Sequence, residues 1–221
     1  KKKVVEKKPT QEPETPKTPK QKINLKYIEV SEDNLAYYNG KPFTGIGFST
    51  DSNGVISIEC KFLMGLKHGI TKTYYNNGKL DQVLNYVNDE LNGVGKSYHE
   101  NGQLEGEDNY INGLKQGISK RYHDTGQLES ELNFINGKLE GLTKVYYESG
   151  KLKEEQNFIN DKFEGLTKIY YETGELEKEQ SYINDQLEGI TKVYYKTGGL
   201  EYEQNYLNGM LEGTKPTSTP L

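Results

Sequence analysis

Apolar and polar residues alternate along this chain in short runs, and the runs recur every 24 residues. The stretch from Gly141 to Glu164 shows the unit: GLTKVYY, then ESG, then KLKEEQNFI, then NDKFE. The first and third segments carry Tyr, Val, Phe and Ile between Gly, Asn, Asp and Ser, the pattern of strands separated by turns. Glycine falls at Gly54, Gly78, Gly102, Gly126, Gly150, Gly174 and Gly198. A second series runs through Gly45, Gly69, Gly93, Gly117, Gly141, Gly165, Gly189 and Gly213. No part of the repeats is long and periodic at about 3.6 residues, so helix is not expected. A fixed period of this kind marks a repeat array, in which each unit packs only on its neighbours and binding uses extended surfaces.

Each unit predicts one β-hairpin. The ESG loop places Gly150 at the left-handed position of a three-residue connection. The second turn begins Asn112-Gly113 or Asn136-Gly137 in other units, and both residues of such a pair accept positive φ. The predicted fold is all-β, an elongated twisted antiparallel meander of stacked hairpins. Two strands from each of seven repeats, at ~4.8 Å spacing, give a body roughly 65 Å long. A sheet that wide twists or coils.

A three-residue loop pairs Tyr147 with Lys151 and Tyr146 with Leu152. Regular alternation from there places Leu142, Lys144, Tyr146, Leu152, Gln156 and Phe158 on one face. Thr143, Val145, Tyr147, Lys153, Glu155, Asn157 and Ile159 fall on the other. The first face is the more apolar, and its columns Tyr74 to Tyr194 and Leu80 to Leu200 are expected to form the stacking core. A two-residue Asn-Gly loop inverts facing once per repeat, which would send Tyr170 to the opposite face from Tyr146. The identical columns argue against that. Either the second loop has three residues or each repeat holds a bulge, with the Gly165 column the favoured place for it.

Four regions follow. Residues 1–22 are Lys-, Glu- and Pro-rich, with Pro9, Pro13, Pro16 and Pro19, and are expected to be a disordered, extended linker. Residues 23–44 form a β cap, strand-like over INLKYIEV, turn-like from Ser31 to Asn34, and strand-like again over LAYY. Residues 45–212 hold seven repeats of 24 residues. Residues 213–221 begin another repeat and stop, and Pro216 and Pro220 oppose further strand pairing.

Charge sharpens this division. The net charge is −5, and residues 1–22 carry eight Lys and three Glu, or +5, which leaves −10 for the rest. An acidic body disfavours nucleic acid, because phosphate contacts need clustered Lys and Arg. The basic segment reads as a solvated linker or as a site of attraction to an anionic surface. Hydrophobic residues make up only 32% of the chain, yet it holds 18 tyrosines, which suit half-buried strands. One cysteine, Cys60, leaves no intrachain disulfide to form. No apolar run has the length of a transmembrane helix. The chain starts at Lys1 rather than Met, which suggests that an N-terminal segment was removed.

The predicted second face supplies the candidate partner-binding residues. It carries an aromatic column, Tyr75, His99, His123, Tyr147, Tyr171 and Tyr195, and a glutamate ladder, Glu59, Glu107, Glu131, Glu155, Glu179 and Glu203. The aromatics are either exposed binding anchors or packing between neighbouring repeats. No catalytic, metal or cofactor site is expected. His99 and His123 stand one repeat apart, roughly 10 Å across two strand spacings, too far to share a zinc ion. A ladder of glutamates recurring in most repeats is not an acid/base pair. The strand–loop–helix setting of a phosphate loop is missing.

YYNNGKL (Tyr74–Leu80), YHENGQL (Tyr98–Leu104), NYINGLKQG (Asn109–Gly117) and YYNGKPFTG (Tyr37–Gly45) resemble the MORN repeat family in its bacterial variant form. The resemblance covers about residues 37–213 and implies hairpins stacked into an elongated, twisted sheet. It implies a scaffold or interaction module, with lipid contacts in some members and exported lipoproteins or antitoxin-like proteins among bacterial ones. The chain departs from the eukaryotic motif in having no tryptophan and an acidic strand.

The leading expectation is a non-enzymatic module that binds a protein partner and is tethered to a cell envelope or surface through an anchor preceding Lys1. One alternative is a saccharide-binding array, which the missing tryptophan disfavours. Another is a cytoplasmic, antitoxin-like inhibitor whose acidic face covers a basic toxin.

Overall fold

The computed structural model describes residues 21–212. Most of the expected linker and the C-terminal tail lie outside these residues. Seven long hairpins follow one another, from Gly45–Thr50 with Ile56–Leu63 to Gly189–Tyr194 with Leu200–Leu207. Strands adjacent in the chain pair antiparallel, and a single 21-stranded sheet results.

The unit Gly141–Glu164 explains why this sequence repeats at its period. Tyr147 and Lys151 close the first loop through the Tyr147 N–H to Lys151 carbonyl bond of 2.9 Å, and Gly150 takes φ +79°. The three-residue ESG loop forms as its glycine dictates. The second loop has two residues, Asn160 and Asp161, at φ +51° and +70°, between the opposed residues Ile159 and Lys162. Two consecutive positive-φ residues match the twist of the flanking strands, and Asn and Asp tolerate that geometry best among side-chain-bearing residues. The chain then re-enters the sheet through Glu164 and Gly165, the glycine at φ +78°.

The facing of the side chains differs from the expectation. Tyr146 lies opposite Leu152, but Val145 lies opposite Glu154 rather than Lys153. Lys153 is therefore a single-residue bulge, and it inverts the facing of everything after it. The two-residue loop inverts facing a second time, and the two inversions cancel. Lys144 faces Glu155, which faces Lys168, so Tyr146 and Tyr170 share a face. The Gly165 column is irregular too. Phe158 pairs with Phe163 and Glu155 with Lys168, so two extra residues enter there, an even number that leaves facing unchanged.

One face thus carries Leu142, Lys144, Tyr146, Leu152, Glu155, Asn157 and Ile159. The other carries Thr143, Val145, Glu154, Gln156 and Phe158. The packed face is the second one, contrary to the assignment made from alternation. Thr71, Ser119, Thr143, Thr167 and Thr191 are buried there, as are Phe158 and Gln180. Small residues hold this column because large neighbours close over it: a Cβ on Gly95 would meet Leu84 Cδ2 at 2.9 Å and Tyr110 Cε2 at 3.1 Å. The rings of Phe158, Phe163 and Tyr182 stack in sequence at 4.6 and 5.2 Å between centroids. The core is this line of side chains, renewed in each repeat.

The first edge is closed. Lys22–Asn24 runs parallel to Gly45–Thr50, and a small sheet of Glu29–Val30, Ala36–Tyr38 and Lys41–Pro42 lies beside it. The strand-like run INLKYIEV is interrupted by a 3-10 turn at Leu25–Tyr27, because the Asn24 side chain accepts the Lys26 N–H at 3.0 Å. Phe43 and Ala36 are buried against the first repeat, the Phe43 ring 5.6 Å from that of Phe62.

Candidate functional site

The register aligns charges across the open face. Glu59, Lys72, Val83, Lys96, Glu107, Lys120 and Glu131 lie directly opposite one another in turn. Lys144, Glu155, Lys168, Glu179, Lys192 and Glu203 continue the row. The glutamate ladder therefore does not stand alone, since lysines alternate with it. Lys96 and Glu107 approach to 3.0 Å, Lys120 and Glu131 to 3.4 Å, and Lys144 and Glu155 to 3.8 Å. Glu107 raises the Lys96 ammonium above its ordinary value. Half-exposed pairs of this kind contribute at most about 1 kcal/mol each. Their larger effect is on register, because a slipped strand would place like charges opposite each other.

The tyrosine column flanks this row on the same face. The Tyr146 hydroxyl donates to Glu131 at 3.4 Å, and that of Tyr170 donates to Glu155 at 3.3 Å. Burial and then the neighbouring glutamates push these phenols above the usual tyrosine range.

On the other side of the row lies an exposed aliphatic stripe. Val94, Ile118, Leu142, Leu166 and Ile190 are 44–60% exposed, and Ile111, Ile135, Ile159 and Ile183 form a second column 47–51% exposed. Between them runs an asparagine column. The Asn133 amide donates to the Glu140 carbonyl at 2.9 Å, and that of Asn85 to the Asn92 carbonyl at 2.7 Å, so asparagine satisfies the carbonyl freed where the chain re-enters the sheet. Two shallow depressions open on the stripe. One, of about 220 Å³, is lined by Ile46, Glu59, Cys60, Lys61, Ile70 and Lys72. The other, of about 280 Å³, is lined by Ile118, Glu131, Leu132, Asn133, Leu142 and Lys144. Each residue of the second stands 72 positions after its counterpart in the first, so they are one feature three repeats apart.

The aromatic column of the candidate site lies at the loops rather than on a sheet face. Tyr147 donates its hydroxyl to the Tyr170 carbonyl at 2.7 Å, Tyr171 to Tyr194 at 2.7 Å, and Tyr75 to Tyr98. The His99 ring nitrogen Nε2 lies 2.8 Å from the Tyr122 carbonyl, and His123 occupies the same place with Nε2 buried. Tyr75, His99, Tyr147 and Tyr171 thus clamp their repeats to the next, whereas His123 Nε2 has no hydrogen-bond partner among the described residues. Tyr195, in the last described repeat, is 51% exposed. Tyr147→Phe is expected to cost about 1 kcal/mol in urea unfolding, the ordinary worth of one such bond; an unchanged midpoint would remove the clamp assignment.

The opposite loops are stitched by residues that the sequence analysis passed over. The Glu140, Glu164 and Glu188 carboxylates accept the backbone N–H of Asn160, Asn184 and Asn208 at 2.9, 3.0 and 2.8 Å. Asp161 and Asp185 accept the N–H of Leu139 and Phe163 at 2.7 and 2.8 Å. Their regular recurrence was the available signal.

One repeat breaks the pattern on the packed face. Asp108 receives Ser119 Oγ, Arg121 Nη2 at 2.8 Å and Lys115 Nζ at 3.0 Å, with its side chain 15% exposed. Burial opposes its ionisation, but the bonds from Arg121, Ser119 and Lys115 outweigh burial and hold the carboxyl below its ordinary value of 3.8.

Among the described residues no three His, Cys, Asp or Glu side chains are grouped to hold a metal ion, and no helix is long and apolar enough to cross a membrane. Cys60 is buried, and burial pushes its thiol up.

No curated protein matches the chain. The repeats themselves do match a described family: residues 67–88, 91–112, 115–136, 139–160, 163–184 and 187–208 each fit the MORN repeat variant, and together they cover more than half of the chain. The hairpins at these positions have the strand lengths and loops set out above, and the chain belongs to the MORN repeat variant family.

Proposed function

We propose that this protein is a non-enzymatic interaction module that binds a protein partner across the open face of its sheet. Repeats of this family are generally protein- or membrane-interaction modules. The observation that carries the reading is the exposed aliphatic stripe lying beside the alternating Lys–Glu row. Exposed apolar surface that continues over several repeats is characteristic of interaction sites. A neighbouring row of both charge signs fixes the register of a partner and rejects mismatched ones. Near-identical units allow several weak contacts to act together. The proposal places the module in a bacterial cell envelope, exported and tethered through sequence preceding Lys1; the basic, proline-bearing run of residues 1–22 supports that placement as a spacer.

The test uses the full chain as bait in a crosslinking pulldown against envelope fragments and cytosol, beside the variant L142S/L166S/I190S. These side chains are exposed, so the variant is expected to fold as the parent does. A protein from the envelope that the parent captures and the variant loses supports the proposal. A captured glycan would turn the assignment to a saccharide-binding array. A single basic cytosolic protein would turn it to an antitoxin-like inhibitor.

A further inference from the structure

We infer that the chain carries its own occupant for the open face: the proline-rich segment around Pro13, Pro16 and Pro19 docks along the aliphatic stripe of the first repeats, from the depression at Ile46 and Ile70 onward. The inference goes beyond the partner-binding reading and does not depend on which partner is bound.

The depressions set a spacing. They lie three repeats apart on a stripe whose aliphatic position, Ile46, Ile70, Val94, Ile118, Leu142, Leu166 and Ile190, recurs once per repeat, and a repeat advances the sheet by two strands, about 9.6 Å. A ligand that contacts successive positions of the stripe must therefore present a side chain on one edge at that interval. An extended strand does not, since its same-side residues fall about 6.7 or 13 Å apart. An α-helix offers about 10.5 Å per seven residues, and the mismatch accumulates. A polyproline II helix repeats every three residues at 3.1 Å each, about 9.3 Å, with every third side chain on the same edge.

The sequence before the first repeat has that period. PETPKTPK, residues 13–20, places proline at Pro13, Pro16 and Pro19, and charge at Glu14, Lys17 and Lys20. In a three-residue turn the prolines form one edge and the charges another. The open face is likewise two adjacent rows, an aliphatic one and one of mixed charge. Proline needs no backbone donor from the sheet, which suits a face whose strands are already paired.

The described chain begins at the first depression. The Gln21 carbonyl accepts the Ile46 N–H at 2.9 Å, and Lys22 lies opposite Ile46. Lys22 is ion-paired with Glu59 and sits 5.2 Å over the Phe48 ring. Ile46 and Glu59 both line the first depression. Eight residues of polyproline II reach about 25 Å, enough for two to three repeats. The tether raises the local concentration of the segment to the millimolar range, so weak contacts suffice. A partner using the same face must then displace it.

The test places a nitroxide on the full chain through T18C in a C60S background and reads methyl signals of isotopically labelled Ile, Leu and Val. The Ile70 and Val94 methyls are expected to lose about half their intensity or more, unchanged on about tenfold dilution, while Leu166 and Ile190 keep theirs. P13S/P16S/P19S in the same background is expected to restore the Ile70 and Val94 signals. Loss confined to Ile46 beside the tether, or spread evenly over all repeats, would overturn the inference. So would loss that fades on dilution, which means a second copy supplies the segment. Loss that survives the serine substitutions would also overturn it, because the prolines then do not direct docking. None of these outcomes bears on the pulldown, which compares variants at Leu142, Leu166 and Ile190.

Discussion

Asp108→Asn should cost the protein about 2 kcal/mol at neutral pH. Asp108 is the shared acceptor of Arg121, Lys115 and Ser119, with its side chain 15% exposed. The amide keeps the shape but leaves two cations without their counter-charge on the packed face. Breaking a buried pair on one side is costly for that reason, even where the whole pair adds little. The neighbouring repeat supplies a control. The positions of Gly106, Asp108, Lys115 and Arg121 are taken one repeat later by Ser130, Leu132, Leu139 and Val145. The transplant G106S/D108L/K115L/R121V should be at least as stable as the parent, because it removes both cations together with their counter-charge and restores an apolar set already packed in the same fold. Urea unfolding followed by circular dichroism reads both. Parental stability for D108N, or a transplant that falls as far as D108N, would refute the account.

The same carboxylate makes a pH prediction. Its folded pKa lies below the ordinary 3.8, so the unfolded chain takes up the proton first as pH falls. The stabilisation is therefore fully present above the ordinary value and is lost as pH falls through the folded one. The gap between parent and D108N should be constant from neutral pH to about pH 5 and close below about pH 4. A gap that widens on acidification would mean that Asp108 is not held ionised by its partners.

The hairpins were legible because local chemistry specifies them. Gly150 needs a left-handed conformation in a three-residue loop, and Asn160-Asp161 accepts two positive φ values in a two-residue one. Neither depends on distant residues. Facing was not legible, and the reason is specific. Lys153, Glu154, Glu155, Gln156 and Asn157 are all polar, so the strand has no apolar marker where the bulge inserts its extra residue. Repeat columns do not help either, since a bulge present in each unit leaves every column intact. The usable signal was across strands. Lysine recurs in the Lys144 column and glutamate in the Glu155 column, and only one facing places them opposite each other. The role of the Tyr147 column was hidden for a different reason: its hydroxyl acts on the next repeat's backbone, a contact that one hairpin alone does not contain.

Removing one whole repeat should leave a folded protein, whereas removing half of one should split it. Deleting residues 141–164 joins Glu140 to Gly165, which recreates the Glu-Gly step found at every repeat boundary from Glu140 onward. Lys168 then takes the place of Lys144 opposite Glu131, and the charge row, the packed column and both loop edges continue. In a nearest-neighbour array the loss is one repeat and one interface, with the remaining interfaces equivalent to those of the parent. The shortened chain should keep its β-sheet circular dichroism per residue and a single unfolding transition. Deleting residues 153–164 instead removes one strand and the two-residue loop that returns the chain. The following strands would then have to run in the opposite direction to pair, and their faces would not match the preceding sheet. The expected product is two separately folded blocks joined by an exposed segment, cleaved near residue 152 by limited proteolysis and unfolding in two transitions. Global unfolding of the whole-repeat deletion would show that stability is shared across the array rather than built between neighbours. A half-repeat deletion that resists protease would show that strand direction does not couple the repeats.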